Sequence, residues 1–231
     1  MYYFALLHTA ERDLTPEQAA AEMTAYEEFH AQAGHAIRAG DALASAADTV
    51  RIDGGPDRPT VTDGPFAEGA EVAGGYYVFE AADLDEALAL AQGIPAAQYG
   101  AVDVWPMVHW AAPAGPVHSD WFAMLLEPFD NVTVPGSPEW EAGAAQHLEF
   151  GKAAGEHVLG GAPLHPPTTA TTVRVRDGQP VLTDGPFAEG AEVANGFYLL
   201  RAADRDEAVK LASMIPASAV ELRRLAGISG L

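Results

Sequence analysis

The sequence predicts an α+β protein built as two tandem copies of one unit. Three observations carry this. The twelve residues TDGPFAEGAEVA occur at Thr62 and again at Thr183, an offset of 183 − 62 = 121. GGYYVFEAADLDEALALAQGIPA from Gly74 matches NGFYLLRAADRDEAVKLASMIPA from Asn195 at the same offset. Within each copy, short apolar runs of strand length alternate with amphipathic segments of helical period.

The elements follow in order. YYFALL and WFAMLL are apolar runs that read as strands, with YFALLH from Tyr3 set against FAMLLE from Phe122. Thr15-Pro16-Glu17 and Ser137-Pro138-Glu139 each offer an N-cap, a proline at the first helical position and an acid in the first turn. The helices they open are expected to run to about Ala39 and Gly160. TVRIDGGPDRPTVTDG and TVRVRDGQPVLTDG read as hairpins around Gly-rich and Asp-Gly turns. TVRI at Thr49 and TVRV at Thr172 sit at 123 rather than 121, which implies two residues added in one loop and lost in the next. GGYYVFEA and NGFYLLRA are further strands. DLDEALALAQGI and DRDEAVKLASMI are amphipathic helices, each opening with an Asp followed three residues later by a Glu. AVDVWPM and AVELRRL close the copies as strands. The order is strand, helix, hairpin, strand, helix, strand, a ferredoxin-like unit with one added strand. The units span 1–108 and 118–231, and the Ala/Pro/Gly-rich stretch over 109–117 reads as a linker.

In YYFALL, YYVF and FYLL both alternating sets of residues are apolar, whereas a sheet with one wet face shows polar alternation. Helices cover one face of each sheet, so the other face needs a partner, and the second copy supplies it. The expected architecture is two fused ferredoxin-like units forming a pseudo-twofold dimeric α/β-barrel, with further homodimer pairing left open.

Composition narrows the function classes. The 231 residues carry 33 acids against 12 Lys and Arg, a formal charge of −21. Such a field repels phosphate backbones and anionic membrane surfaces, so no nucleic-acid or membrane partner is expected. No apolar run approaches the roughly 18–20 residues of a membrane helix. MYYFALLHTAERD lacks the basic and long apolar regions of a signal peptide. The chain has no cysteine, which excludes disulfides and thiolate metal sites. A cytoplasmic location is expected.

TDGPFAEGAEVAGGYYVFEAADLDEALALAQGIPAA resembles the YCII-related family, in its DGPF-domain branch. Both copies carry Asp-Gly-Pro-Phe-Ala-Glu, followed by Gly-Ala-Glu where the branch has Thr-Lys-Glu, so Ala70 and Ala191 stand in place of a lysine. LHPPTTATTVRVRDG in the second copy is similar to the branch as well. The resemblance covers nearly the whole chain, twice. It implies a dimeric α/β-barrel architecture, here fused into one chain. It also implies a His/Asp pair as a catalytic centre, and relatives that look like lyases of small aromatic or lactone-type compounds.

Two readings of the repeated loop stand side by side. Asp-Gly-Pro is turn chemistry, with Phe66 and Phe187 as plugs into the core. Alternatively Asp63 and Asp184 lie at a strand end and act as a general base or orient one. Glu68, Glu71, Glu189 and Glu192 repeat too, but no histidine stands at ligand spacing beside them, and no metal is expected. The histidines do not repeat: His30 falls opposite Gly151, His147 opposite Tyr26 and His8 opposite Glu127. Tyr26, Phe29, His30, Ala33 and Ile37 share one helix face, and His147 takes the place of Tyr26. A histidine on such a face is either a packing residue or, beside an aspartate, a general acid/base. His147 is the foremost candidate, because the resemblance places a histidine in this helix; His30, Asp184 and Asp63 complete the candidate catalytic set. The expected function is a cofactor-free enzyme on a small organic molecule, of lyase, dehydratase or isomerase type, with one working pocket. The competing expectations are a non-catalytic small-molecule-binding or regulatory protein, and an assembly module.

Overall fold

The computed structural model describes residues 1–64, 72–115, 117, 120–187 and 191–228. Phe66, Glu68, Glu71 and Glu189 of the repeated segments lie outside them.

The first copy runs β1 (Tyr2–Thr9), α1 (Pro16–Ala33), β2 (Ile37–Ala42), β3 (Val50–Asp53), β4 (Thr60–Asp63), β5 (Val72–Glu80), α2 (Leu84–Gln92), α3 (Ala96–Tyr99) and β6 (Ala101–Pro106). The second runs β7 (Trp121–Pro128), α4 (Pro138–Ala154), β8 (Val158–Pro163), β9 (Thr171–Arg176), β10 (Gln179–Asp184), β11 (Glu192–Leu200), α5 (Arg205–Ala212) and β12 (Ala219–Arg224). The helix starts are as the caps predict. Thr15 and Gln18 form a reciprocal capping box, Ser137 accepts from the Trp140 amide, and Asp83 and Asp204 cap α2 and α5. The helix ends are not. α1 and α4 stop six residues earlier than expected (39 − 33 and 160 − 154), and the chain then enters β2 and β8, strands the sequence reading missed. IRAGDA and VLGGAP are short and glycine-bearing, and they lack the alternation that marks a strand.

The strands form two six-stranded antiparallel sheets, ordered β10-β9-β6-β1-β5-β2 and β4-β3-β12-β7-β11-β8. Within the first, β6-β1-β5-β2 is the ferredoxin-like sheet of the first copy. The remaining two strands come from the other copy. The hairpins are exchanged: β9-β10 joins β6, and β3-β4 joins β12. The added strands are therefore a hairpin given away rather than one strand kept. Register also corrects the alignment. Val50 pairs with Asp63 and Thr171 with Asp184, so both hairpins span the same 13 residues (63 − 50 and 184 − 171) and the offset stays at 121. Thr172 occupies the place of Arg51, and Arg174 that of Asp53. The second hairpin uses its residues for longer strands and a two-residue Asp177-Gly178 turn, with φ of 52° and 72°. That doubly positive pair is the I′ geometry that matches strand twist.

The exchange is repeated at the strand ends. After β6, Met107 bridges Leu164 and Ala111 bridges Gly161 along β8. After β12, Leu225 bridges Leu43 and the Ala226 amide donates to the Ala42 carbonyl beside β2. Asp41 anchors this second strap, accepting from the amides of Gly227 at 2.9 Å and Ile228 at 3.2 Å. The expected linker thus begins as an ordered strap, with Trp110 packed on the core.

Both sheet faces are covered, as the doubly apolar strands require. Tyr3, Ala5 and Leu7 pack with Phe29 and Ala33 of α1, while Phe4 and Leu6 face the second sheet. Between the sheets, the Phe4 and Phe197 ring centroids lie 4.6 Å apart, and those of Tyr76 and Phe122 4.9 Å apart. By register Phe122 is the counterpart of Phe4 and Phe197 that of Tyr76, so the same contact is made twice. Each copy lends the other a hairpin, a strap and half of an aromatic core. Residues 1–115 expressed alone are expected to be unfolded or self-paired, as read by light scattering after size exclusion; a cooperatively folded monomer would contradict the exchange.

Candidate functional site

His8 lies at the end of β1, beside a β-bulge. Leu7 pairs with Gly75 and His8 with Ala73, which leaves Gly74 extra. A Cβ at Gly74 would meet the Thr9 hydroxyl at 2.5 Å, which that side chain must turn to relieve, and one at Gly75 would meet the Asp41 backbone carbonyl at 2.9 Å, where only glycine fits without a shift of the neighbouring strand. Gly74-Gly75 thus shapes the strand that presents His8. His8 is 8% exposed, and its Nε2 stands 2.9 Å from Oδ2 of Asp103, which is 1% exposed on β6.

Asp103 is held from the other copy. Thr172 Oγ1 on β9 donates to Asp103 Oδ1 at 2.7 Å, and the Phe187 amide of the second DGPF loop lies 2.9 and 3.0 Å from its two oxygens. The Thr172 hydroxyl also lies 2.9 Å from the Gly185 carbonyl, tying the loop to the strand. A buried carboxylate is costly unless its oxygens are satisfied, and these donors satisfy it in one orientation. Phe187 then places its ring between two cationic or potentially cationic groups. Its centroid is 5.1 Å from that of His8 and 4.6 Å from the Arg174 guanidinium carbon.

The counterpart in the second sheet is different. Register sets Leu126, not Glu127, against His8, because Leu126 pairs with Ala194 as His8 pairs with Ala73. Glu127 instead accepts from the Ser218 amide at 2.8 Å. Glu221 stands for Asp103 and Arg51 for Thr172. Arg51 pairs with Asp53 at 2.9 Å, Glu192 at 2.5 Å and Glu221 at 3.5 Å. One sheet has a histidine–aspartate pair; the other has a single arginine held among three carboxylates.

The four residues singled out from sequence sit elsewhere. His147 Nδ1 meets the Tyr198 hydroxyl at 3.0 Å, and His30 Nε2 meets the Tyr77 hydroxyl at 2.7 Å. Tyr198 is the counterpart of Tyr77 (198 − 77 = 121), so one phenol is capped twice, from helix positions one turn apart. That explains why the two histidines fail to repeat by position: they repeat by contact. Asp63 pairs with Arg205, and Asp184 is exposed at the end of β10. The DGPF loop meets a histidine through Phe187, and it approaches the pair with backbone, the Phe187 N–H and the Gly185 C=O. The acid is Asp103. Sequence reasoning missed it because VDVW reads as an ordinary strand; the one available signal was an acid inside a strand that is otherwise apolar. Among the described residues no cluster of three or more His, Asp and Glu is placed to hold a metal ion.

The YCII-related domain matches residues 1–111 and again 121–225. The chain belongs to the YCII-related family. An uncharacterised protein of Rhizobium meliloti (strain 1021) is 47% identical over 51 residues, which is 22% of this chain and 41% of that protein's length. The crystal structure of a candidate chlorite dismutase covers 99% of this chain and 97% of its own at 6% identity, with a TM-score of 0.44. Among the described residues no helix of this YCII-related protein is long and apolar enough to cross a membrane.

Burial lowers the His147 imidazole from its ordinary 6.5 to about 4 and raises the Tyr198 phenol to about 12. The ring is therefore neutral beside the phenol, and protonation favours the unfolded chain. The contribution of His147 is complete above about pH 6.5 and falls away toward pH 4, by about 2 kcal/mol at pH 5. Urea unfolding at pH 7.5 and 5.0 should show this loss in the wild type and a smaller one in His147→Gln; equal losses would refute it.

Proposed function

We propose that this chain, as a DGPF-branch member of the YCII-related family whose two sheets close a pseudo-twofold α/β-barrel, is a cofactor-free acid–base enzyme. Its substrate is a small organic molecule, and its reaction is of the lyase, dehydratase or isomerase type. One observation carries the proposal: a histidine and an aspartate, both buried, are hydrogen-bonded at 2.9 Å, and the aspartate is held in place by Thr172 and the DGPF backbone. That is the arrangement general acid–base chemistry needs, a titratable ring with a fixed tautomer.

His8 Nε2–H donates to Asp103, which leaves the lone pair of Nδ1 as the proton acceptor. Nδ1 takes a proton from carbon next to a carbonyl, and the electron pair moves into the enolate. The imidazolium is stabilised by Asp103. Nδ1–H then returns the proton to a different atom, which completes an isomerisation, or to a departing oxygen, which completes an elimination. The charge of −21 is in keeping with a small-molecule partner rather than a nucleic acid.

A second reading, a non-catalytic binding or regulatory protein, draws on the low exposure of His8 and the Phe187 ring beside it. Solvent-deuterium exchange separates the two. Enolisable keto acids and unsaturated lactones are incubated in D2O and followed by NMR. The wild type is expected to exchange the acidic C–H of at least one of them, with the rate falling by about 10²- to 10⁴-fold in His8→Asn and also falling in Asp103→Asn. No exchange across the panel, or exchange indifferent to His8, would favour the binding reading.

A further inference from the structure

Arg174 is a half-buried cation that the described contacts leave without an acceptor. Arginine in a chain this acidic has abundant carboxylates to pair with. Among the described residues Arg51, Arg205 and Arg12 do so, while Arg176 and Arg223 are held by backbone carbonyls. Arg174 has neither an ion pair nor a hydrogen bond among the described residues. Its Nε is buried without a partner among the described residues, and its one described interaction is with the face of Phe187. A desolvated guanidinium donor with no acceptor is costly, and a ligand that supplied the acceptor would recover that cost.

Its position gives the gap a direction. Arg174 and Thr172 lie two apart on β9 and so share a sheet face. Thr172 pairs with Asp103 and Val173 with Val102, which carries Arg174 to the level of Ala101. His8 pairs with Ala101 from the other side. His8 and Arg174 therefore flank one small residue, two strand spacings apart, roughly 10 Å between backbones. The other sheet holds the instructive contrast. There an arginine at the Thr172 position is neutralised from within by Asp53, Glu192 and Glu221. Asp53 takes the place of Arg174 itself.

We infer that Arg174 is the anion anchor of the His8 site, and that the ligand is a small organic carboxylate held by the guanidinium with its reactive carbon toward His8. The fork of the guanidinium suits a carboxylate in a two-point contact. The Phe187 face beside both groups suits a flat or unsaturated body. This rests on the acid–base reading above and adds a substrate class to it.

The test uses benzoate as the probe and benzamide as its uncharged control, titrated into the full-length protein labelled at histidine and followed by NMR. Benzoate is expected to shift the His8 ring signals saturably, and benzamide to bind much more weakly. Arg174→Gln should weaken benzoate by roughly 10- to 100-fold without changing benzamide, and Arg174→Lys should restore part of the loss. Circular dichroism and the unshifted signals of His147 check that each variant is folded. Equal benzoate affinity in wild type and Arg174→Gln, or no preference for benzoate over benzamide, overturns the anchor. Those results leave the acid–base reading intact, since that stands or falls on the deuterium exchange of His8→Asn.

Discussion

The constraint on which the structure depends is that each sheet has two apolar faces and only enough helix to cover one. Phe4, Tyr76, Phe122 and Phe197 are all 2% exposed or less, and each finds its partner ring in the opposite sheet. Burying side chains of this size is worth about 2–3 kcal/mol each, and the rings contribute a further increment through their stacking. A single copy would leave that surface in water. Fusing two copies makes the pairing intramolecular and frees it from concentration.

The exchanged hairpins and straps deepen this dependence. β9-β10 completes the sheet of the first copy, and Val173 and Val175 enter its helix-side core. Val50 and Ile52 do the reverse in the second. The result is a candidate site with parts from both copies: His8 and Asp103 from the first, Thr172, Arg174 and Phe187 from the second. Tandem fusion also releases the two halves from identity. A symmetric dimer must carry the same residues at both equivalent positions. Here His8–Asp103 faces one way, and Leu126, Glu221 and Arg51 occupy the related position.

The repeated TDGPFAEGAEVA takes on a physical meaning in this frame. In the second copy the loop works through its backbone, with the Phe187 amide on Asp103 and the Gly185 carbonyl on Thr172. Asp184 points to solvent. A segment used for the path of its backbone is retained as turn chemistry, so its identity in both copies does not require the same reaction in both.

The sequence by itself determined the duplication, the α+β class, the helix starts and the need for a covered second sheet face. Each of these is a local or periodic property: a cap is read within four residues, an alternation within six. It also raised the expectation of a histidine beside an aspartate near a DGPF loop. It could not say which histidine. His147 and His30 lie on a helix face with aromatic neighbours, the pattern of a site and of a core alike, and tertiary structure shows them capping Tyr198 and Tyr77. β2 and β8 were illegible because their residues carry no strand pattern of their own; the neighbouring strand makes them strands. The hairpin exchange was illegible for a related reason. Which sheet a hairpin joins is decided by pairing across more than 60 positions of chain (102 to 173, and 50 to 222), where no local preference reaches. His8, Asp103 and Thr172 lie in three separate strands; β1–β6 pairing brings His8 beside Asp103, and the exchanged β9 brings Thr172 to the same carboxylate.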